Sequence, residues 1–147
     1  VEIFDEDIIS NNQNIFHLKN TVFESAKVIV CDDNKTNRML IAHLLQNSNL
    51  AIHEAKNGLE AVELANKINP DIILMDLRMP EMNGYEATTI LKMNENTKPI
   101  PVIAISASVN IVEKKENYVN LFNDFILKPF KIEKLIEVLK KYLVIKE

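Results

Sequence analysis

The chain has 147 residues, enough for one ordinary domain and a short appendage. It is 47% hydrophobic and 26% charged with a net charge of -4, the composition of a globular chain without the strong positive field that favours nucleic acid. No apolar run approaches the roughly 20 residues of a membrane span, and the acidic start, Val1 to Asp7, is unlike a signal peptide.

Cys31 is the sole cysteine, so no intrachain disulfide is available and a reducing cytoplasm fits. The two glycines, Gly58 and Gly84, stand far apart, which argues against glycine-rich phosphate loops. A first residue of Val rather than Met fits a piece of a longer protein.

Residues 1–26 carry a polar tract, Asn11 to Asn14, between short apolar pieces such as Ile15-Phe16 and Val22-Phe23. They read as a linker or as the tail of a preceding domain, with a disordered arm as the alternative. From Lys27 the pattern alternates. Val28 to Cys31 is a β-branched run ending in acids. Lys35 to Gln46 is helical, with an expected apolar face of Met39, Leu40, Ala42, Leu44 and Leu45. Ala51 to Ala55 is a second strand, and Leu59 to Ile68 a second helix stopped by Pro70. Ile72 to Met75 is a continuous apolar strand. A third helix spans Tyr85 to Met93, and Val102 to Ile105 form a fourth strand. A short polar helix is expected near Ile111 to Asn117, then a fifth strand at Asp124 to Leu127. Lys131 to Leu143 is the clearest helix, its stripe made by Ile132, Leu135, Ile136, Leu139, Tyr142 and Leu143.

Five strands alternating with five helices predict an α/β fold, a doubly wound parallel sheet covered on both faces. Sites in such sheets form at the carboxyl ends of the strands. Those ends carry Asp32-Asp33, Asp76, Ser106 and Lys128-Pro129. Three adjacent carboxylates repel and call for a compensating cation, and all-oxygen ligands suit Mg²⁺, with Mn²⁺ an alternative. A carboxylate can also attack phosphorus and form an acyl phosphate. Mg²⁺ would bridge the acids and one phosphoryl oxygen, with Lys128 and Ser106 on the other two.

The segments Val30 to Asn34, Met75 to Pro80, Asn83-Gly84, Ala104 to Ala107 and Leu127 to Phe130 resemble the receiver (response regulator) family, in order and over nearly the whole of Lys27 to Leu143. The resemblance implies the flavodoxin-like strand order 2-1-3-4-5. It implies Asp76 as phosphoacceptor, and Asp32, Asp33, Asp76 and the main-chain carbonyl of Arg78 around the metal. It implies Ser106 as switch hydroxyl, Lys128 as the phosphoryl-contacting amine, Phe125 as the aromatic switch, and Arg78 and Ser108 as residues that tune hydrolysis. A cis bond between Lys128 and Pro129 follows from the same likeness. The Asp32-Asp33-Asn34 run with Asn37-Arg38 looks most like receivers attached to hybrid sensor kinases. The implied partner is a phosphohistidine donor, either a histidine kinase or a histidine phosphotransfer domain. No nucleic acid or membrane contact by this domain is implied, though the parent protein could be membrane-anchored. The only enzymatic activity expected of the segment is self-phosphorylation and autodephosphorylation.

Plainer readings stand beside these. Asp32-Asp33 could serve a helix dipole, Asp76 could open a turn, Lys128 could be solvated, and Phe125 could be simple core. Ser108 rivals Ser106 as the hydroxyl. His17, His43 and His53 show no ligand spacing, and Cys31 reads as a small buried apolar residue. A phosphatase of the haloacid-dehalogenase type would want an acid where Arg78 stands. A receiver-like module that no longer takes phosphate would usually have lost one of the acids or the lysine.

Overall fold

The structure is a computed structural model, described for residues 21–107 and 120–146. The expected helix near Ile111 to Asn117 lies outside the described residues, as does the polar tract near the start.

The elements run β1 (Ala26–Cys31), α1 (Lys35–Leu44), β2 (Leu50–Ala55), α2 (Gly58–Ile68), β3 (Ile72–Asp76), α3 (Gly84–Met93), β4 (Val102–Ser106), β5 (Asp124–Leu127) and α4 (Ile132–Tyr142). All strand pairs are parallel, in the order β2-β1-β3-β4-β5, as expected. Three helices start on asparagine caps. The side chain of Asn34 accepts from the N–H groups of Thr36 and Asn37, and that of Asn57 from Glu60. Asn83 and Glu86 form a reciprocal capping box. Asn69 ends α2 in the left-handed region with φ 50°, just before Pro70.

Side chains alternate across each strand and build two cores. Val28, Val30, Ile72, Leu74, Ile103 and Ile105 face α1 and α4. Ile29, Cys31, Ile73, Met75, Val102 and Ala104 face α2 and α3. This two-faced burial explains the unbroken apolar runs of β1, β3 and β4.

The face expected for α1 is corrected in part by the structure. Leu45 is buried as expected, but Met39 and Leu40 are 56% and 51% exposed, and Ile41 fills the core in their place. Ile41 and Leu45 lie one turn apart and so share a face; Met39 and Leu40 precede that face by up to two residues and point outward. The stripe expected on α4 is found: Ile132, Leu135, Ile136, Leu139 and Leu143 are buried, joined by Val138.

The chain packs onto the domain before β1. Phe23 is fully buried in the core on the α1 side. Its N–H donates to the Ser48 carbonyl at 2.8 Å, and it forms an antiparallel bridge with Ile145. Glu24 N–H donates to the Val144 carbonyl at 2.8 Å, and Lys146 N–H to that of Val22 at 2.9 Å. The segment around Phe23 is therefore clasped to the chain after α4.

Candidate functional site

Parallel pairing brings the carboxyl ends of β1, β3, β4 and β5 to one edge. Cys31 is level with Met75, Asp76 with Ile105, and Ser106 with Leu127, so the residues at or just past these ends meet above the sheet. Carboxylate oxygens of Asp32, Asp33 and Asp76 lie within 4.8 Å of one another, with Asp32 and Asp76 buried and Asp33 exposed. Lys128 enters from the end of β5. Its Nζ donates to Asp32 Oδ2 at 3.2 Å and lies 3.6 Å from Asp76 Oδ1. The Lys128–Pro129 peptide bond is cis, as the resemblance implied.

The electrostatics are those of crowded acids. Burial pushes the Asp76 carboxyl up to about 6; the Asp32 charge adds to the rise and Lys128 opposes it. Burial, with Asp76 and Asp32 nearby, likewise pushes the Cys31 thiol up to about 12. Cys31 is thus an inert buried thiol, its Sγ 3.3 Å from the Asn57 carbonyl oxygen. Three carboxylates beside a single ammonium leave excess negative charge, and hard oxygen donors at this spacing fit a small divalent cation.

Both glycines shape the loop after Asp76. A Cβ on Gly84 would stand 2.4 Å from the Asp76 main-chain oxygen and 3.0 Å from Leu77 Cα. A Cβ on Gly58 would stand 2.5 Å from the Met82 oxygen, which accepts the Gly58 N–H at 3.2 Å. The starts of α2 and α3 therefore hold this loop against the sheet at distances only glycine allows. Within the loop, Arg78 N–H donates to Asp76 Oδ1 at 3.4 Å, and Arg78 itself is exposed.

Ser106 is buried at the end of β4, and its carbonyl accepts the Lys128 N–H at 2.8 Å. Phe125 is half-buried on β5 and meets Phe122 edge-on with ring centroids 5.7 Å apart. Ser108 lies outside the described residues, as does His17. His43 is exposed near the end of α1, and His53 is half-buried on the edge strand β2.

Two residues of α1 gain roles that their side-chain types did not reveal. The Arg38 guanidinium donates to the Asp32 carbonyl at 2.7 Å and pairs with Glu54 at 3.0 Å. Asn37 Nδ2 donates to Asp32 Oδ2 at 3.2 Å. The available signal was the helical position of both, within one turn of the Asn34 cap.

A five-stranded parallel sheet in this order, with clustered acids and a lysine at its carboxyl edge, defines the class of CheY-like receiver domains. Residues 28–140 match the family model of the response regulator receiver domain, and the chain belongs to that family. It is 35% identical over 116 residues to the polar-differentiation response regulator DivK of Brucella anthropi, covering 79% of this chain and 94% of that protein. The chemotaxis protein CheY4 of Vibrio cholerae superposes with a TM-score of 0.75 at 30% identity, over 82% of this chain and 100% of that one. The receiver domain of a Pseudomonas aeruginosa sensor histidine kinase, solved with a magnesium ion coordinated in its active site cleft, gives 0.74 at 28% identity, over 81% and 98%. The protein is thus a receiver domain of two-component signalling, a family whose function is to accept a phosphoryl group. Receivers bind Mg²⁺ at their acidic site and work with histidine kinases or phosphotransfer partners. Among the described residues no helix is long and apolar enough to cross a membrane.

Proposed function

We propose that Asp76 accepts the phosphoryl group from a phosphohistidine donor. The observation that carries this reading is the meeting of buried Asp76 with Asp32, Asp33 and Lys128 at one sheet edge. In the step, an Asp76 carboxylate oxygen bonds to phosphorus and the P–N bond to the imidazole breaks. The nitrogen keeps the electron pair, so the donor returns to neutral histidine. Asp32, Asp33, Asp76 and the Arg78 carbonyl are the ligands assigned to Mg²⁺ or Mn²⁺. When bound, the ion supplies neutralisation of the acids and of the charge on the transferred group. Lys128 and Ser106 take the other phosphoryl oxygens. A lysine held between two carboxylates at 3.2 and 3.6 Å supports that role, because a phosphoryl anion on Asp76 would compete for it.

Ser106 and Phe125 carry the switch in this reading, and Arg78 with Ser108 set the lifetime of the phosphoryl group. Residues 27–147 form the receiver and residues 1–26 a linker or the tail of a preceding domain, of which Val22 to Glu24 are hydrogen-bonded to the receiver. A cytoplasmic location and attachment to a hybrid kinase accompany the reading, the latter supported by likeness of the Asp32 to Arg38 run. Incubation with a phosphorylated histidine phosphotransfer domain and Mg²⁺ tests the central step. Label should move to the wild type and not to Asp76→Asn; equal transfer to both would overturn it.

A further inference from the structure

Asp32 serves a cation only if its carboxylate is held toward the other acids, and the start of α1 does the holding. Oδ1 accepts the main-chain N–H of Asn34 at 2.9 Å. Oδ2 accepts the Asn37 carboxamide at 3.2 Å and the Lys128 ammonium at 3.2 Å. Asn37 is itself fixed, because its main-chain N–H donates to the Asn34 side chain at 3.2 Å. One helix end thus grips both oxygens of a side chain that is 5% exposed. The same Oδ2 anchors Lys128, whose Nζ then lies 3.6 Å from Asp76. Asn37 makes no hydrogen bond to Asp76.

We infer that Asn37 is a positioning residue of the phosphoryl-transfer site: its carboxamide, together with the Asn34 N–H, pre-sets Asp32 to receive the divalent cation. The inference rests on the assignment of Asp32 to the metal and of Asp76 to the phosphoryl group. Without this donor the carboxylate gains rotational freedom that cation binding must then remove, and it loses one stabilising hydrogen bond. Once the ion is bound it orients Asp32 itself. The loss therefore falls on cation affinity and not on the rate at saturating cation.

Asn37→Leu keeps the branched outline of the side chain, removes the donor and places a good helix former at a half-buried helical position. Asn37→Ala is the second variant, smaller but without the donor. Mg²⁺ affinity of the full chain should be measured by calorimetry, and labelling by acetyl phosphate followed against Mg²⁺ concentration. Unfolding in EDTA reports the fold. Both variants should bind Mg²⁺ at least about tenfold more weakly, the lower end of the weight of one hydrogen bond to a charged group. Their labelling rates at saturating Mg²⁺ should stay within about twofold of wild type, a split expected when only ground-state binding is lost. Unchanged or tighter Mg²⁺ binding by a folded variant overturns the role of Asn37, as does a fall in the saturating rate with affinity intact. If the wild type neither binds Mg²⁺ nor takes label, the underlying reading of the acidic site fails instead.

Discussion

Gly84 and Asp76 approach so closely that a single added carbon on Gly84 would lie 2.4 Å from the main-chain oxygen of Asp76. Both partners are held: Gly84 begins α3, and Asp76 ends β3. Gly84→Ala must push the helix start or the phosphoacceptor loop away. Overpacking of this kind costs about 1–3 kcal/mol. Urea unfolding should show that loss, accompanied by slower labelling. A variant as stable and as active as wild type would mean that the loop yields freely.

The crowded acids make metal-free stability depend on pH. The folded Asp76 carboxyl is raised from 3.8 to about 6, so between these values the folded state holds a proton that the unfolded chain has released. Stability in EDTA should therefore fall as pH rises from about 4 to 6 on account of this group, and the penalty should be complete above that window. At 1.36 kcal/mol per pKa unit its upper bound is about 3 kcal/mol. Asp76→Asn should be the more stable protein at pH 7 in EDTA and should lack this part of the pH dependence. Parallel pH profiles for both proteins would contradict the shift.

Arg78 is exposed beside Asp76, with its main chain turned toward the carboxylate. A guanidinium here that covered a phosphoryl group on Asp76 would form a charge-assisted hydrogen bond to it. Arg78→Ala should then shorten the phosphoryl lifetime several-fold, read as autodephosphorylation in Mg²⁺ after the donor is removed. An unchanged rate, or loss of label from the wild type within seconds, would remove Arg78 from the account of hydrolysis.

Phe23 is fully buried although it precedes β1. Truncating a core phenylalanine costs about 3–5 kcal/mol. Phe23→Ala should show a loss of that order in urea unfolding, as should deletion of the residues through Ser25. A loss under about 0.5 kcal/mol, the scale of ordinary surface substitutions, would make the clasp incidental.

Much of this architecture was legible because its strongest signals are local. The runs Val28 to Cys31, Ile72 to Met75 and Val102 to Ile105 are apolar on both faces because both faces are covered, and each leads directly into a polar site residue or its neighbour. Asn34, Asn57 and Asn83 cap the helices that follow strand ends. Other features depended on tertiary placement. Met39 and Leu40 are as apolar as Ile41, and only the packing of α1 decides that Ile41 points inward. Phe23 looked like part of a linker because its partners, Ser48 and Ile145, are distant in sequence. Asn37 belongs to the Asp32 to Arg38 run, but which group its carboxamide meets is a matter of tertiary placement that residue type does not specify.

Chemical mapping of the adduct tests the assignment of Asp76 most directly. The wild type is labelled by acetyl phosphate in Mg²⁺, and borohydride reduction converts an aspartyl phosphate to homoserine, which tandem mass spectrometry locates. Homoserine should appear at position 76 alone and be absent when Mg²⁺ is withheld. Homoserine at position 32 or 33 instead, or a stable adduct on a serine, would contradict the assignment.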